Sequence, residues 1–557
     1  MAETTLKRAP RLAVVFLDAA DASLTEAGMA SSGEGGMPNL KRLRERGVYG
    51  RIGSVAAQVN AAPWPSFMTG KDPGDHGVWN YVGWDPEKLN HRACGPEHED
   101  YEPWWRGLCR AGCRCVVLDV PRTYPPEAGA LDFEGQPNGV EMSAWGSHYK
   151  LTNPYSEPAD FLKWLEGEVG RPDWGNEPGG ELTADMVLKE KARVLKVIEM
   201  QGEAGVRTLG REACELFVLA FSGPHRAGHV VWDDTGLADK GTPQQQDEVN
   251  RSIREVYAAT DRELGRVLDR LAELPGGDET VVWAVSLHGM TRNESLAQLL
   301  PEMLDRVLHD KKVEPTPAGE GGEAKAKKGL LKTVREMVPE SARSAVKDRL
   351  PLSLQNWLTR FWRKTNVDWS QTQALALLDD LQGFVQINLK GREAKGIVEP
   401  GEEYEALCVK ITQGLKTFVF SDTGEPAVRA VDRPGELYPN GTKAGIIPDL
   451  IVQWAHRPVV SVESIVSERY GRIDWPTPGR VTDGRSGHHV GEGWWVAAGP
   501  GLEAGGSHTG LHGLDVVPTL YRQLGRDVPE GIAGEVRDEL VSGTTVEKSE
   551  ASPVGVA

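Results

Sequence analysis

The stretch that decides the fold is "CELFVLAFSGPHRAGHVVW", residues 214–232. Its first half is an apolar run of strand length, and His225 and His229 follow it, four residues apart. In an open parallel sheet, ligands bind beyond the carboxyl ends of the strands, so polar residues placed there are candidates for function. Histidines at this spacing lie on one face of a helix, where both imidazoles can reach one metal ion.

Strand and helix patterns alternate on both sides of this stretch. "RLAVVFLDA" (11–19) and "ETVVWAVSLHG" (279–289) are further apolar runs of strand length. Apolar residues recur with helical spacing in "ADMVLKEKARVLKVIEMQGEA" (184–204) and "DEVNRSIREVYAATDRELGRVLDRLAEL" (247–274). Such alternation predicts an α/β fold with a mostly parallel central sheet and helices on both faces.

Composition excludes some classes of protein. A chain of 557 residues with 39% apolar and 26% charged residues is typical of a globular protein with one large domain or two. The net charge of −18 disfavours a nucleic-acid scaffold, which needs a basic face. The N-terminal apolar run is too short to span a membrane and lacks a cleavage site, which predicts a cytoplasmic protein without a membrane partner. We expect a small-molecule substrate, and the sequence leaves the oligomeric state open.

The domain prediction is one large unit over residues 11–540. Residues 309–345 are polar and rich in Gly, Lys and Glu, which predicts a flexible insertion, and residues 545–557 read as a disordered tail. The cysteine-rich "CRAGCRC" (109–115) is interpreted as reduced thiols near a core, between a helix and a strand, with a metal knot as the less favoured alternative.

Candidate site residues stand at strand ends far apart in the sequence. Asp18 ends the first apolar run, and His288 follows "VVWAVSL". His489 lies in "GRSGHHVGEGWWVAAGPG" (484–501), before another predicted strand. Asn60 precedes a proline-marked helix start in "AAQVNAAPWPSFMTG" (56–70), where it either caps that helix or contacts a ligand.

Several segments, taken in their order along the chain, resemble the type I phosphodiesterase/nucleotide pyrophosphatase branch of the alkaline phosphatase superfamily. They include "VVFLDAADASL" (14–24), "PNLKRLRERGVYGRI" (38–52), "PWPSFMTGKDPGDHGVWNY" (63–81), "PDLIVQW" (448–454) and "LDVVPTLYRQLGRDVPEGIAG" (514–534). The resemblance implies an alkaline-phosphatase-like α/β domain with a cap-like insertion.

The resemblance also implies a site with two divalent ions, often zinc, held by three aspartates and three histidines around a Thr or Ser nucleophile. Four of these positions are kept in this sequence. Asp18 matches the first aspartate, and the three histidines are matched by His229, His288 and His489.

Three positions depart from the family pattern. His225 and Leu287 stand where the family has aspartates, and Asn60 stands at the nucleophile position. Two dications held by one carboxylate lack charge compensation, and a neutral amide is a poor nucleophile. The departures therefore predict a more neutral, nitrogen-rich site that forms no phosphoryl intermediate on the chain.

These residues predict a three-histidine metal site made by His225, His229 and His489. We expect zinc there, with iron or another transition metal as the alternative. Asp18 and His288 are expected on the second-metal side, where they bind the same ion, hold a weaker second ion, or act as acid and base.

The function predicted from this site is metal-dependent hydrolysis of a phosphate ester or related bond. Because Asn60 offers no alkoxide, metal-bound water is the expected nucleophile, with Asn60 and His288 as the candidate catalytic residues. Two alternatives remain at this point. One is a metalloenzyme with redox or lyase chemistry on the repurposed site, and the other is a non-catalytic binding member of the superfamily.

Overall fold

A computed structural model describes residues 7–96, 100–147, 152–313, 367–377, 381–481 and 484–541. Most of the predicted insertion (314–345 of 309–345) and the predicted tail 545–557 lie outside the described residues, while His309 ends a helix.

The strands alternate with helices through much of the chain. In chain order the strands are β1 (Leu12–Leu17), β2 (Gly47–Gly53), β3 (Val82–Asp85), β4 (Asn90–Ala93), β5 (Cys115–Leu118), β6 (Asp132–Phe133), β7 (Gln136–Pro137), β8 (Gly139–Ser143), β9 (Tyr155–Glu157), β10 (Leu216–Phe221), β11 (Val281–Ser286), β12 (Gly289–Arg292), β13 (Ala374–Leu377), β14 (Gly383–Ile387), β15 (Val419–Phe420), β16 (Val428–Asp432), β17 (Leu450–Trp454), β18 (Ser464–Ser467), β19 (Gly471–Asp474), β20 (Gly487–Val490), β21 (Glu492–Ala498), β22 (Gly506–Ser507) and β23 (Leu511–His512). The helices are α1 (Ala22–Ala30), α2 (Pro38–Glu45), α3 (Pro63–Thr69), α4 (Pro73–His76), α5 (Trp104–Arg110), α6 (Ala159–Val169), α7 (Ala184–Arg211), α8 (Gly223–Val230), α9 (Pro243–Glu273), α10 (Leu300–His309), α11 (Glu402–Leu415), α12 (Pro434–Leu437) and α13 (Val516–Gln523).

The central sheet has the strand order β22-β2-β21-β11-β1-β10-β5-β8-β9, with β23 also paired to β2. The strands from β11 to β8 run parallel to one another. Strand β21 is antiparallel to both β11 and β2, and β9 is antiparallel to β8. The prediction of a mostly parallel α/β sheet is confirmed.

Both faces of this sheet are covered, which explains why its central strands are apolar throughout. Every residue of β1, β10 and β11 is buried. In β1, Val15 and Leu17 face the apolar layer that contains α7 and α9, whereas Val14 and Phe16 face the layer that contains Trp64 of α3. The alternation follows from the two-residue period of a strand, and it buries two hydrophobic cores with one sheet.

Two glycines between a helix and the following strand have different roles. Gly112 lies in the turn between α5 and β5 and has a φ of +83°, which favours glycine. Gly47 is the first residue of β2, where an added Cβ would lie 2.1 Å from the carbonyl oxygen of Ala497. The close approach of β21 therefore requires glycine there.

The described residues between β12 and β20 build a third apolar core beside the central sheet. A four-stranded sheet in the order β13-β14-β17-β16 packs with α10 and α11. We call this part of the structure, the described residues between β12 and β20, the cap. It contacts the segment that carries Asn60: the backbone N–H of Asn60 donates to Gln382 (3.3 Å), and the Gln453 amide donates to the Gln58 carbonyl (3.4 Å). Among the described residues, no helix is long and apolar enough to cross a membrane.

Candidate metal centre

Three neighbouring parallel strands deliver the predicted site residues to one edge of the sheet. Asp18 follows β1, which lies between β10 and β11. Helix α8 follows β10 and carries His225 and His229, and His288 follows β11. Since parallel strands end at the same edge, these four side chains meet although they are far apart in the sequence.

The two histidines of α8 point in the same direction. A single residue, Ser222, separates β10 from α8, and Pro224 stands in the first turn of the helix. One helical turn separates His225 from His229, so their Nε2 atoms lie 3.1 Å apart and their ring centroids 4.9 Å apart. Both side chains are buried.

His489 joins this pair from strand β20. Its ring centroid lies 4.6 Å from that of His225, 4.9 Å from that of His229 and 4.7 Å from that of His288. One nitrogen from each of His225, His229 and His489 lies within 4.8 Å of the others, and an atom from each of Asp18, His225 and His288 forms a second such set. The structure thus brings all five predicted metal-site residues together, with His225 common to both sets.

A glycine allows β20 to approach α8 this closely. An added Cβ at Gly487 would lie 2.3 Å from the carbonyl oxygen of Gly228. With no side chain in the way, the Gly487 carbonyl lies 3.1 Å from His229 Nδ1, and the backbone N–H of Ser486 donates to the His229 carbonyl (2.7 Å).

The partners of the Nδ1 atoms determine which nitrogens are offered to a ligand. A carbonyl and a carboxylate only accept hydrogen bonds, so Nδ1 of His229 donates to Gly487 and Nδ1 of His225 donates to Asp18 Oδ2 (2.8 Å). The Nε2 lone pairs of the two rings then face each other at 3.1 Å. That arrangement repels unless a cation lies between them, either a metal ion or a proton.

The donor set fits a divalent transition-metal ion. Zinc–nitrogen bonds of about 2.0–2.1 Å in a tetrahedral site place two nitrogen ligands about 3.3 Å apart, close to the separation found here. His489 is half-buried, whereas the other four residues of the group are buried. Its Nδ1 has no hydrogen-bond partner within the described residues, and the same is true of Nδ1 of His288.

Burial and neighbouring charges control protonation at the site. Burial raises the pKa of the Asp18 carboxyl, but His225, His288 and the hydrogen bond from Trp64 together bring that pKa below its ordinary value. Burial lowers the pKa of His288 to about 4. Burial, reinforced by His225 and His288, also brings the pKa of His489 well below its usual range. At neutral pH His288 and His489 are therefore uncharged and able to donate a lone pair.

The interpretation of Asn60 as a helix cap is wrong. The N-cap of α3 is Ala62, and no side chain caps that helix. The Oδ1 atom of Asn60 is buried without a hydrogen-bond partner among the described residues. The short turn Val55–Ala57, just before Asn60, contacts strand β20. The Asn60 amide oxygen thus has no hydrogen-bond partner among the described residues. This supports the alternative interpretation, in which Asn60 contacts a ligand.

Leu287 offers the site no ligand atom. It is 3% exposed and belongs to the apolar layer that also contains Phe16 and Trp64. Asp18 directly follows β1 and Leu287 directly follows β11, and the two strands are parallel neighbours. An apolar residue thus stands at a strand end where the family pattern has a carboxylate.

Two contacts at the site escape the sequence analysis. Trp64 is buried in an apolar layer, and its Nε1–H donates to Asp18 Oδ1 (2.8 Å). His488, adjacent to His489, accepts a hydrogen bond at Nε2 from the backbone N–H of Glu294. Neither contact has a local sequence signal, because each joins segments that are distant along the chain.

A buried ion pair joins helix α8 to helix α7. Arg226 stands between the two histidines in the sequence of α8, and it donates through Nε to Glu190 Oε1 of α7 (2.6 Å). Arg226 is 3% exposed and Glu190 is 1% exposed. Because both charges are out of water, the pair sets the rotation of α8 and with it the direction of both imidazoles.

We expect Glu190→Gln to lower the free energy of unfolding by about 2 kcal/mol, because glutamine keeps an acceptor but leaves the buried Arg226 guanidinium with Glu177, 3.4 Å from Nη1, as its remaining charged partner. Glu199→Gln is the matched control on the same helix, since Glu199 pairs with Lys196 on the surface. That control should cost less than about 1 kcal/mol. Urea unfolding of both variants measures the difference, and equal losses would contradict a structural role for the buried pair.

The parallel sheet and the histidine-rich group at its carboxyl edge define an alkaline-phosphatase-like protein. The sequence profile of the type I phosphodiesterase / nucleotide pyrophosphatase family matches residues 12–470, and the chain belongs to this family. Membership places the chain among hydrolases and supports hydrolysis of phosphate esters. No curated protein matches the sequence significantly.

Solved structures with a similar overall fold include phosphonoacetate hydrolase from Sinorhizobium meliloti in complex with phosphonoacetate. It shares 14% identity with this chain at a TM-score of 0.47, and the match covers 92% of this chain and 94% of that one. Human ectonucleotide pyrophosphatase / phosphodiesterase 5 shares 13% identity at a TM-score of 0.44, over 93% of this chain and 96% of that one.

Proposed function

We propose that this chain is a metal-dependent hydrolase of a phosphate ester or a related bond that forms no covalent intermediate with the protein. The observation that carries the proposal is the pair of Nε2 atoms of His225 and His229, 3.1 Å apart, with both Nδ1 atoms already donating to oxygen. His489 completes a three-histidine set that leaves coordination positions open.

A divalent ion held by His225, His229 and His489 would supply Lewis acidity and would lower the pKa of water towards neutrality, so that a side-chain nucleophile would not be needed. The chain contributes the remaining groups. His288 is the candidate proton acceptor because of its position, with its ring centroid 4.7 Å from that of His489. The Asn60 amide is the candidate contact that orients the substrate.

Zinc is the proposed ion, because three histidines with an open position are a common zinc set. A second candidate function is redox or lyase chemistry on iron or copper. It is favoured by the nitrogen-rich donor set and by the commitment of the one family carboxylate, Asp18, to hydrogen bonds with His225 and Trp64. The free thiols of the cysteines support the proposal of a reducing, cytoplasmic location.

Metal analysis of protein purified without added metal distinguishes these candidates. We expect about one zinc per chain, together with hydrolysis of a chromogenic aryl phosphodiester that a chelator abolishes and added zinc restores. One iron or copper per chain would favour the second candidate. Protein that contains no metal and binds none on titration would overturn both.

We expect no phosphorylated chain during turnover, because Asn60 at the family's nucleophile position offers an amide in place of a hydroxyl. Acid quench with a radiolabelled phosphodiester should leave no label on the protein, and Asn60→Ala should retain part of the activity. Asn60→Thr is the matched variant, since it restores a hydroxyl at the same position. Acid-stable label on the wild-type chain would contradict the expectation.

A further inference from the structure

We propose that Asp18 is a positioning residue that orients His225, and that it does not coordinate the ion itself. The proposal rests on the metal site proposed above and concerns the role of one residue within it. It departs from the family resemblance, which implies that the aspartate at this position is a metal ligand.

The first support is the set of contacts around the carboxylate. Oδ1 accepts the indole N–H of Trp64 at 2.8 Å, and Oδ2 accepts Nδ1–H of His225 at 2.8 Å. An indole nitrogen only donates, so Trp64 holds Oδ1 as an acceptor. Asp18 is 1% exposed, and each of its oxygens accepts a hydrogen bond from a protein donor.

The second support is that His229 is held in the same way. Its Nδ1–H donates to the Gly487 carbonyl, so an oxygen acceptor fixes each of the two rings at Nδ1 and leaves Nε2 for the ion. Metal-binding histidines are typically oriented by such an acceptor on the nitrogen remote from the metal. Asp18 therefore orients the His225 ring in the same way as the Gly487 carbonyl orients the His229 ring.

The third support is the substitution at position 225. The family pattern has an aspartate there, which cannot donate a hydrogen bond to Asp18 when both are ionised. Histidine supplies an N–H that Asp18 accepts, and its second nitrogen lies 3.1 Å from Nε2 of His229. One residue change thus gives Asp18 a hydrogen-bond partner and places a new candidate ligand beside His229.

A double-mutant cycle in zinc affinity tests the role of Asp18. Competition with a chromophoric chelator is measured for the wild type, Asp18→Asn, His225→Ala and the double variant. We expect Asp18→Asn to weaken zinc binding about 10- to 100-fold in the wild type, the usual cost of losing an orienting partner. In the His225→Ala background the same change should alter affinity less than about twofold, because no ring remains to be oriented.

Each other outcome overturns the proposal in a recognisable way. An equal loss in both backgrounds would make Asp18 a ligand, and no loss in either would make it structural only. A visible spectrum of the cobalt-substituted Asp18→Asn protein that shows one oxygen ligand fewer would also favour ligation. A wild-type chain that binds no zinc would overturn the proposed function itself. Unfolding midpoints of the metal-free variants show that each one is folded.

Discussion

Replacing either His229 or His489 by alanine should weaken zinc binding more than about 100-fold, so that protein purified without added metal loses nearly all of its ion. Loss of an outer hydrogen-bond partner already costs about 10- to 100-fold, and loss of a coordinating nitrogen exceeds that. The geometry supports the expectation, because both rings lie within 4.9 Å of His225 and of each other, measured between centroids. Elemental analysis and chelator competition measure the change.

The matched control is His456→Ala. His456 is a histidine on the surface of the cap that pairs with Glu294, and its removal should leave the metal content unchanged. If both site variants kept the metal content of the wild type, the ion would be bound elsewhere. The Nε2 atoms of His225 and His229, which lie 3.1 Å apart, would then share a proton instead of a metal ion.

The large elements of this fold are predictable because their signals are local. The apolar runs at 11–19, 214–221 and 279–287 are each covered on both faces, and a strand buried in this way has few polar residues to interrupt it. The position of the site is also predictable, because parallel strands end at one edge. This rule places Asp18, His225 and His288 together without knowledge of any contact.

The contacts that give these residues their chemistry are not predictable in the same way. The hydrogen bond from Trp64 to Asp18, the approach of Gly487 to α8 and the ion pair of Arg226 with Glu190 each join segments distant in sequence. The interpretation of Asn60 as a cap failed because the chain turns once more before α3 begins at Pro63. The occupancy of the metal site stays a prediction.

Leu287→Asp should lower the free energy of unfolding by about 3–5 kcal/mol in the presence of a chelator, because it places a carboxylate in an apolar layer. Leu287→Met is the matched control, since a volume-conserving apolar exchange costs less than about 1.5 kcal/mol. Urea unfolding measures both. A loss for aspartate no larger than for methionine would mean that position 287 reaches water.

Combining Leu287→Asp with His225→Asp restores both carboxylates that the family pattern has and this chain lacks. Asp18 then loses the N–H of His225, and three carboxylates meet at one sheet edge, so the chelated double variant should be less stable than either single variant. Zinc should reverse much of that loss by compensating the charge, and metal titration of the folded double variant should approach two ions per chain where the wild type holds one. A stoichiometry that stays at the wild-type value would show that two substitutions do not rebuild the second position. The apolar layer that contains Leu287 would then keep a second ion out even with both carboxylates restored, and the single-ion arrangement would be a property of the whole sheet edge.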